Sequence, residues 1–396
     1  MCELKSSPIF NLSMASKELF HSNMLYWIST VYRLQFVCIM ETLGVEVQDW
    51  PSNWKSHREK DHFDLSVTNE KEDKYLFILE NKVKSIPYNE QLDKYKGKIQ
   101  SQDTQWMLLS LATKLPNEND IKKGWKIKNY QDLSFAIYKV LPTISDCYHR
   151  QLLEDYCACI LLLHKKQSSW TFDDNCIYLD KFVKDSYEEK NLGIEDVRKK
   201  VLYSRLAAQL RDKLSAAKIC TNKEIIDIAK GQNQPGDIYV NYGMTHGMGL
   251  IDIKIRINGN LLFVIQLQGA AYKHCIETLD VKSDDIKTIE AIGQHLENKN
   301  AGAIISDIIK KLIEKFFNSI EDQKNLASFP FKENEAELVN SMKKGGKKSS
   351  SAYNRYGESF IYQYVKIANN TKVNCVVEAI AKEVNEIKSI LNNIQL

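Results

Sequence analysis

Two carboxylates and a lysine stand out, because their types and spacing suit a divalent metal and a phosphodiester. Asp64 lies in Phe63-Asp64-Leu65-Ser66-Val67, which alternates apolar and polar, and Glu80-Asn81-Lys82 closes the apolar run that starts at Tyr75. The intervening Asn69-Glu70-Lys71-Glu72-Asp73 is wholly polar, as a hairpin loop is. Centred on Glu72, the hairpin sets Asp64 directly across from Glu80, with Cβ atoms about 5 Å apart on one sheet face. Like charges at that separation repel, and a bound cation is the simplest way to reverse the penalty. Side chains at i and i+2 share a strand face, so Lys82 arrives beside the acids while Leu79 and Asn81 point the other way. Such oxygen donors suit Mg2+ or Mn2+, with water completing the shell. Metal-bound water is a better nucleophile, and a metal pair also steadies the leaving oxygen of an in-line phosphate displacement. Lys82 would orient that water or offset charge building on the phosphorane.

This arrangement resembles the PD-(D/E)XK nuclease superfamily. The matching elements are Asp64, Glu80-Asn81-Lys82, and a following helix with Gln91 and Tyr95, whose spacing looks like the Q-xxx-Y element of RecB-type and phage exonuclease-like members. Ser16-Lys17-Glu18-Leu19-Phe20-His21-Ser22 resembles the leading helix of a bacterial branch of that superfamily, and Gly124-Trp125 through Asp132-Leu133 resembles its exit from the core. The likeness covers residues 15–141. Phe63 stands where the family pattern has proline, a common substitution there.

The resemblance implies roles. Asp64 and Glu80 ligate metal, joined by the backbone carbonyl of Asn81. Lys82 assists the nucleophile, and Gln91 and Tyr95 hold the active-site helix or a phosphate. Glu18 completes the shell of a second metal, and His21, one turn later on the same face, could join it. Glu59 is an alternative third acid. Each residue also has a plain structural reading. An acid-x-Lys string is common on strands, Gln91 and Tyr95 at i and i+4 also describe a solvated helix face, and an acid near Ser16 also serves helix capping. An isolated histidine is usually a satisfied structural group.

At 396 residues the chain exceeds one ordinary core, so more than one domain is expected. The formal net charge of +3 is too small to imply a nucleic-acid partner, so any basic face must be local. Nine cysteines with no C-xx-C pair read as reduced thiols, not as a disulfide framework or a zinc site. No stretch reaches the roughly 18 uninterrupted apolar residues of a membrane span, and the first residues lack a signal-peptide core. A soluble, cytoplasmic protein without membrane contact is expected.

The elements that must position these residues follow from periodicity. A long helix from Ser16 toward Met40, with a break, ends before Gly44. Val45-Glu46-Val47 and the segment ending at Glu59 form a first strand of uncertain limits, then come the hairpin, a helix from Pro87 to Ile99 bearing Lys94, Lys96 and Lys98, and the strand Trp106–Leu111. This αβββαβ order, a mixed sheet flanked by helices, is the α/β core that the resemblance implies. Residues 132–230 read as mostly helical. Beyond them Leu250–Ile257 and Leu261–Gln268 alternate around Asn258-Gly259, a hairpin with Asp252 facing the Gln266 region. It reads either as a decayed copy of the first hairpin or as a simple antiparallel sheet, and in neither case as a cutting site. An amphipathic helix over Ile304–Phe317, a strand Phe360–Val365 and a final helix from Lys372 complete the chain. Lys343-Lys344-Gly345-Gly346-Lys347-Lys348 reads as a flexible basic loop, suited to sequence-independent phosphate contact.

The domains expected are a nuclease domain over 1–145, a helical segment over 146–235 and a C-terminal α+β accessory domain over 236–396. The function expected is a Mg2+- or Mn2+-dependent nuclease hydrolysing phosphodiester bonds of DNA. The resemblance also implies a setting in anti-phage or mobile-element defence. The nucleic-acid contacts expected are Lys94, Lys96, Lys98, Lys343, Lys344, Lys347 and Lys348. The accessory domain would serve substrate, a partner or a second copy of the chain. Two alternatives stay open: a nuclease-fold protein that binds without cutting, and an RNA-directed nuclease, since a two-metal site does not itself read sugar identity.

Overall fold

Helix α1, Glu18–Val31, stops at Tyr32, whose φ of −125° and ψ of 59° leave the helical region, and α2 resumes at Arg33–Thr42. Gly44 at φ 85° ends the pair, in a left-handed conformation that glycine adopts without a Cβ clash. These features come from a computed structural model. It describes residues 9, 18–82, 89–99, 103–111, 124–214, 217–219, 235–279, 285–298, 305–317, 329–330, 343–344, 347–348 and 353–392. The chain divides into two compact units, Met1–Thr171 with Asp185–Leu202, and Phe172–Lys184 with Tyr203–Leu396. The stretch 146–235 runs through both.

The first unit is built on a five-stranded sheet in the order β1-β2-β3-β4-β5. Strands β1 (Lys55–Arg58), β2 (Leu65–Thr68) and β3 (Tyr75–Lys82) pair antiparallel. β4 (Gln105–Ser110) and β5 (Lys126–Asn129) continue the sheet in parallel. Parallel neighbours need a crossover, and α3 (Asn89–Lys98) lies between β3 and β4 in the chain. Val45-Glu46-Val47 stays outside the sheet, and β5 was not expected, because Lys126-Ile127-Lys128-Asn129 alternates too briefly to read as a strand. Helix α4 (Tyr130–Val140) starts on a capping box: the Asn129 side chain accepts from Gln131 and Asp132 N–H, and Asp132 accepts from Asn129 N–H. α5 (Cys147–Ser168) is capped by Asp146. Its end is tied to α6 (Tyr187–Asn191), where Glu189 accepts from Trp170 Nε1 at 3.0 Å and pairs with Lys166 at 3.1 Å. α7 spans Glu195–Lys213.

The second unit holds a seven-stranded sheet ordered β13-β14-β10-β9-β8-β7-β6. β7 (Ile238–Thr245), β8 (Met248–Asn258), β9 (Leu261–Gln268), β10 (Ala271–Thr278), β13 (Asn354–Tyr356) and β14 (Phe360–Lys366) are antiparallel to their neighbours, and only β6 (Lys218–Ile219) is parallel. This is the simple antiparallel sheet, not a copy of the first sheet, whose third and fourth strands are parallel. The register does set Asp252 against Gln266, and Gln266 Nε2 donates to Asp252 Oδ1 at 2.7 Å. One sheet face is apolar (Ile251, Ile253, Ile255, Phe263, Ile265). Helices α8 (Asp285–Glu297), α9 (Asp307–Phe316) and α10 (Val373–Asn392) complete the unit. Lys343-Lys344 and Lys347-Lys348 are not a loose loop but a two-stranded ladder, β11 and β12, pairing Lys343 with Lys348 and Lys344 with Lys347. A Gly-Gly pair between them is the sequence a tight hairpin favours. Among the described residues no helix is long and apolar enough to cross a membrane.

Candidate active site

The hairpin register places the acids. Leu65 pairs with Leu79, Ser66 with Ile78 and Val67 with Phe77, all centred on Glu72, before a shift at Thr68. Continued one residue, this register sets Asp64 opposite Glu80. A hydrogen bond holds Asp64 there: Asn81 N–H donates to its Oδ2 at 2.6 Å. Glu80 and Lys82 share the strand face, and Lys82 Nζ lies 2.6 Å from Glu80 Oε1. Both are deeply buried, 2% and 7% exposed, whereas Asp64 is half-buried. The lysine thus already neutralises one acid of the pair whose repulsion was expected.

Backbone alternation assigns Asn81 its part. Lys82 C=O accepts from Leu111 N–H at 2.9 Å, so even-numbered residues of β3 turn their peptide groups to β4. Asn81 therefore turns its N–H and C=O to the β2 side, where Asp64 stands. Its side chain goes to the opposite face, fully buried. There Nδ2 donates to Ser22 Oγ of α1 at 3.3 Å and Oδ1 accepts from the Tyr130 hydroxyl of α4. His21 belongs to this second group. Its ring meets Tyr130 edge-on at 5.1 Å and its Nδ1 lies 3.1 Å from the Tyr156 hydroxyl. Burial pushes its pKa down to about 3, which keeps it neutral. The imidazole is packed beneath the strand rather than presented with the carboxylates, so the expectation that it joins a metal shell is withdrawn.

Tyr95 sits on α3 with its ring edge-on to Phe63 at 5.5 Å. Phe63 is fully buried and also meets Tyr75 and Trp106. Phe63 directly precedes Asp64, so this ring packing fixes the approach of the chain to the acid. Lys98 Nζ lies 5.7 Å from the Tyr95 ring centroid and reaches the Asp61 carbonyl at 3.4 Å. Lys96 lays its ammonium against Gly124. Gln91 and Lys94 lie on α3 and Glu18 opens α1, but their side chains, like those of Lys343, Lys344, Lys347 and Lys348, fall outside the described residues. Glu59 is exposed at φ 55°, in the turn before Asp64.

Three participants were missed in the sequence. Ser110, at the end of an apolar strand, is the register partner of Lys82 and so shares its face. Ser22 and Tyr130 act on Asn81 from two helices far apart in the chain, and although both lie in the segments quoted for the resemblance, nothing in the sequence assigned them this contact. Among the described residues no group of three or more His, Cys, Asp or Glu side chains could hold a metal. Two carboxylates and a backbone carbonyl nonetheless fit Mg2+, which keeps several waters and takes one or two carboxylates besides substrate phosphates.

Residues 35–157 match the PD-(D/E)XK nuclease superfamily. The PD-(D/E)XK span takes in Asp64, Glu80, Asn81, Lys82, Gln91, Tyr95 and all five strands of the first sheet, while Glu18 and His21 precede it. No curated protein and no solved structure matches the chain.

Proposed function

We propose that the protein is a Mg2+- or Mn2+-dependent nuclease that hydrolyses phosphodiester bonds of DNA, with Asp64, Glu80 and Lys82 as its catalytic core. The observation that carries this reading is the joint placement of Asp64, Glu80 and Lys82, with Asn81 N–H at 2.6 Å from Asp64 and Lys82 Nζ at 2.6 Å from Glu80. Asp64 and Glu80, with the Asn81 carbonyl, would hold the metal, and Glu18 would supply a further oxygen. A divalent cation there lowers the pKa of water and offsets charge on the phosphoryl oxygens. Lys82 Nζ would orient the attacking water or donate to the phosphoryl oxygens on which negative charge builds. Tyr95 packs α3 against Phe63, and Gln91 and Tyr95 would hold the active-site helix or contact a phosphate.

Phosphate contact outside the centre falls to Lys94, Lys96 and Lys98 and to the lysine ladder. The ladder brings four lysines into one short hairpin, suited to sequence-independent phosphate contact. A role in defence against phage or mobile elements rests on the resemblance alone, and a cytoplasmic setting on the cysteine usage.

The test is incubation of the purified chain with circular and linear, single- and double-stranded DNA and RNA in Mg2+, Mn2+ or EDTA, with Glu80→Gln as control. Cleavage of DNA in the metals, absent in EDTA and in the variant, is expected. Metal-independent cleavage, or equal cleavage by Glu80→Gln, overturns the assignment. Cleavage confined to RNA overturns the substrate.

A further inference from the structure

The two acids of the site are placed by different means. Glu80 lies within β3, with Leu108 of β4 beside it in register. Asp64 lies outside the ladder: β1 and β2 close on the pair Arg58 with Leu65, so Asp64 is the last residue of the connection 59–64. A group carried on a connection is held less exactly than one on a strand, unless something fixes the connection. The Asn81 N–H bond holds the Asp64 carboxylate but leaves the path of the chain to the residues before it.

That path is strained. Glu59, Asp61 and His62 have φ of 55°, 54° and 69°, and Glu72, at the tip of the neighbouring hairpin, has 60°. These are four of the five left-handed non-glycine residues among those described. Aspartate and histidine enter that region more readily than most side chains, but such a run persists only where the surroundings over-determine it. Asp61 and His62 are exposed, so close packing does not impose the conformation. Within the turn, His62 N–H donates to Glu59 C=O at 3.3 Å and Phe63 N–H to Lys60 C=O at 3.0 Å. Bonds of that span form in turns of either hand.

The hand is fixed from outside. Tyr75, the first residue of β3, donates its hydroxyl proton to Asp61 Oδ2, and Lys98, the last residue of α3, donates to Asp61 C=O at 3.4 Å. Lys60 Nζ donates to Glu72 Oε2 at 2.8 Å, and Lys55 of β1 donates to the other oxygen at 3.0 Å. β3 and α3 therefore meet the turn at Asp61. β3 also carries Glu80, and α3 carries Gln91 and Tyr95, so the elements that bear the rest of the site fix the approach to Asp64. Tyr75 stands well down β3 from Glu80, about 16 Å by the strand rise. Asp61 thus acts on Asp64 through the chain and not on a metal.

We propose that Asp61, Tyr75 and Lys98 form a clamp that keeps residues 59–62 in their left-handed course and so sets where Asp64 meets a divalent cation. The part given to Asp64 rests on the nuclease reading, and the test measures metal without cleavage. Calorimetry titrates Mn2+ into the full chain with no nucleic acid present. Tyr75→Phe keeps the ring against Phe63 and loses only the hydroxyl, and Asp61→Ala loses the acceptor. Both should weaken Mn2+ binding by roughly tenfold, the low end for groups that orient a metal ligand. Melting in EDTA should change little, since the bond lost is at the surface. Asp61→Asn keeps an oxygen for the Tyr75 hydroxyl and should recover the affinity. Cleavage by Tyr75→Phe should be slow at limiting Mn2+ and regain the parent rate in excess. Parent-like Mn2+ affinity in Tyr75→Phe and Asp61→Ala would overturn the clamp, as would weak binding that only tracks early melting of the metal-free chain. A parent that takes up no Mn2+ overturns it as well. Cleavage by the parent with unchanged Mn2+ affinity in both variants removes the clamp and leaves the nuclease reading standing. Weakened Mn2+ binding in the variants of a chain that never cleaves does the reverse.

Discussion

Lys82 changes what removing Glu80 should do. From the hairpin alone, Glu80→Ala relieves repulsion between opposed acids and should melt no earlier than the parent. With Lys82 Nζ 2.6 Å from Glu80 Oε1 and both side chains buried, the same change strands an ammonium group out of water. Breaking one side of a buried pair costs about 3–5 kcal/mol. Thermal denaturation in EDTA should therefore show Glu80→Ala melting well below the parent, with Glu80→Gln plus Lys82→Met recovering much of the loss. Nuclease activity should be absent from every one of these variants. His21 supports a prediction of a different kind. The unfolded chain protonates it below its ordinary value of 6.5, while the folded chain resists until about 3. The unfolded state thus binds the extra proton throughout that window, and stability falls as pH drops, by roughly 1.4 kcal/mol per pH unit from this one group. Urea midpoints between pH 6.5 and 4.5 should fall less steeply in His21→Gln than in the parent.

At the scale of elements, β3 is steered from both faces. Asp64 takes the Asn81 N–H on one side, and α1 and α4 grip the Asn81 side chain on the other. Tyr130→Phe leaves a buried acceptor without its donor, a cost of about 1–3 kcal/mol. It should also lower the cleavage rate by roughly tenfold at saturating DNA, read as a fall in kcat with KM nearly unchanged, since Tyr130 acts through Asn81 and not on substrate. Rescue by Tyr130→His but not by Tyr130→Leu would tie the effect to the donor. The lysine ladder belongs to the same scale. Each phosphate neutralised on duplex DNA contributes about 0.9 to the slope of log affinity against log salt. Replacing Lys343, Lys344, Lys347 and Lys348 with serine should flatten that slope and weaken binding at low salt, with turnover at saturating DNA kept. An unchanged slope would leave α3 and its lysines as the place to seek the substrate groove.

Across the whole molecule, local patterns proved legible where one segment carried its own register. The Asp64–Glu80 hairpin is centred on Glu72 by polar loop and apolar strand alone, and the Asn258-Gly259 turn likewise fixes Asp252 against Gln266. Long-range pairings were not legible. β5 is four residues of mixed polarity whose strand character comes from β4 beside it. Val45-Glu46-Val47 has strand-forming residues but pairs with no strand among the described residues. The grip of Ser22 and Tyr130 on Asn81 joins residues 59 and 49 positions away, a separation that no periodicity reports. His21 shares a helix with Glu18, yet its direction was set by Tyr130 and Tyr156.

The division of the chain into two interleaved units bears on its synthesis. The polypeptide passes from one unit to the other at 171–172, 184–185 and 202–203. As it leaves the ribosome, the first unit stays incomplete until residue 202 has emerged, because Trp170 and Lys166 wait for Glu189. Meanwhile 172–184 must remain undocked until the second sheet exists, for Tyr178 donates its hydroxyl proton to Gly269 C=O at 3.1 Å. Maturation is therefore not a simple N-to-C succession of domains. A chain stopped at 171 should yield mostly insoluble product, and one stopped at 213 should be markedly more soluble. Equal solubility of the two truncations would mean that the late return of the chain adds nothing to the fold of the first unit.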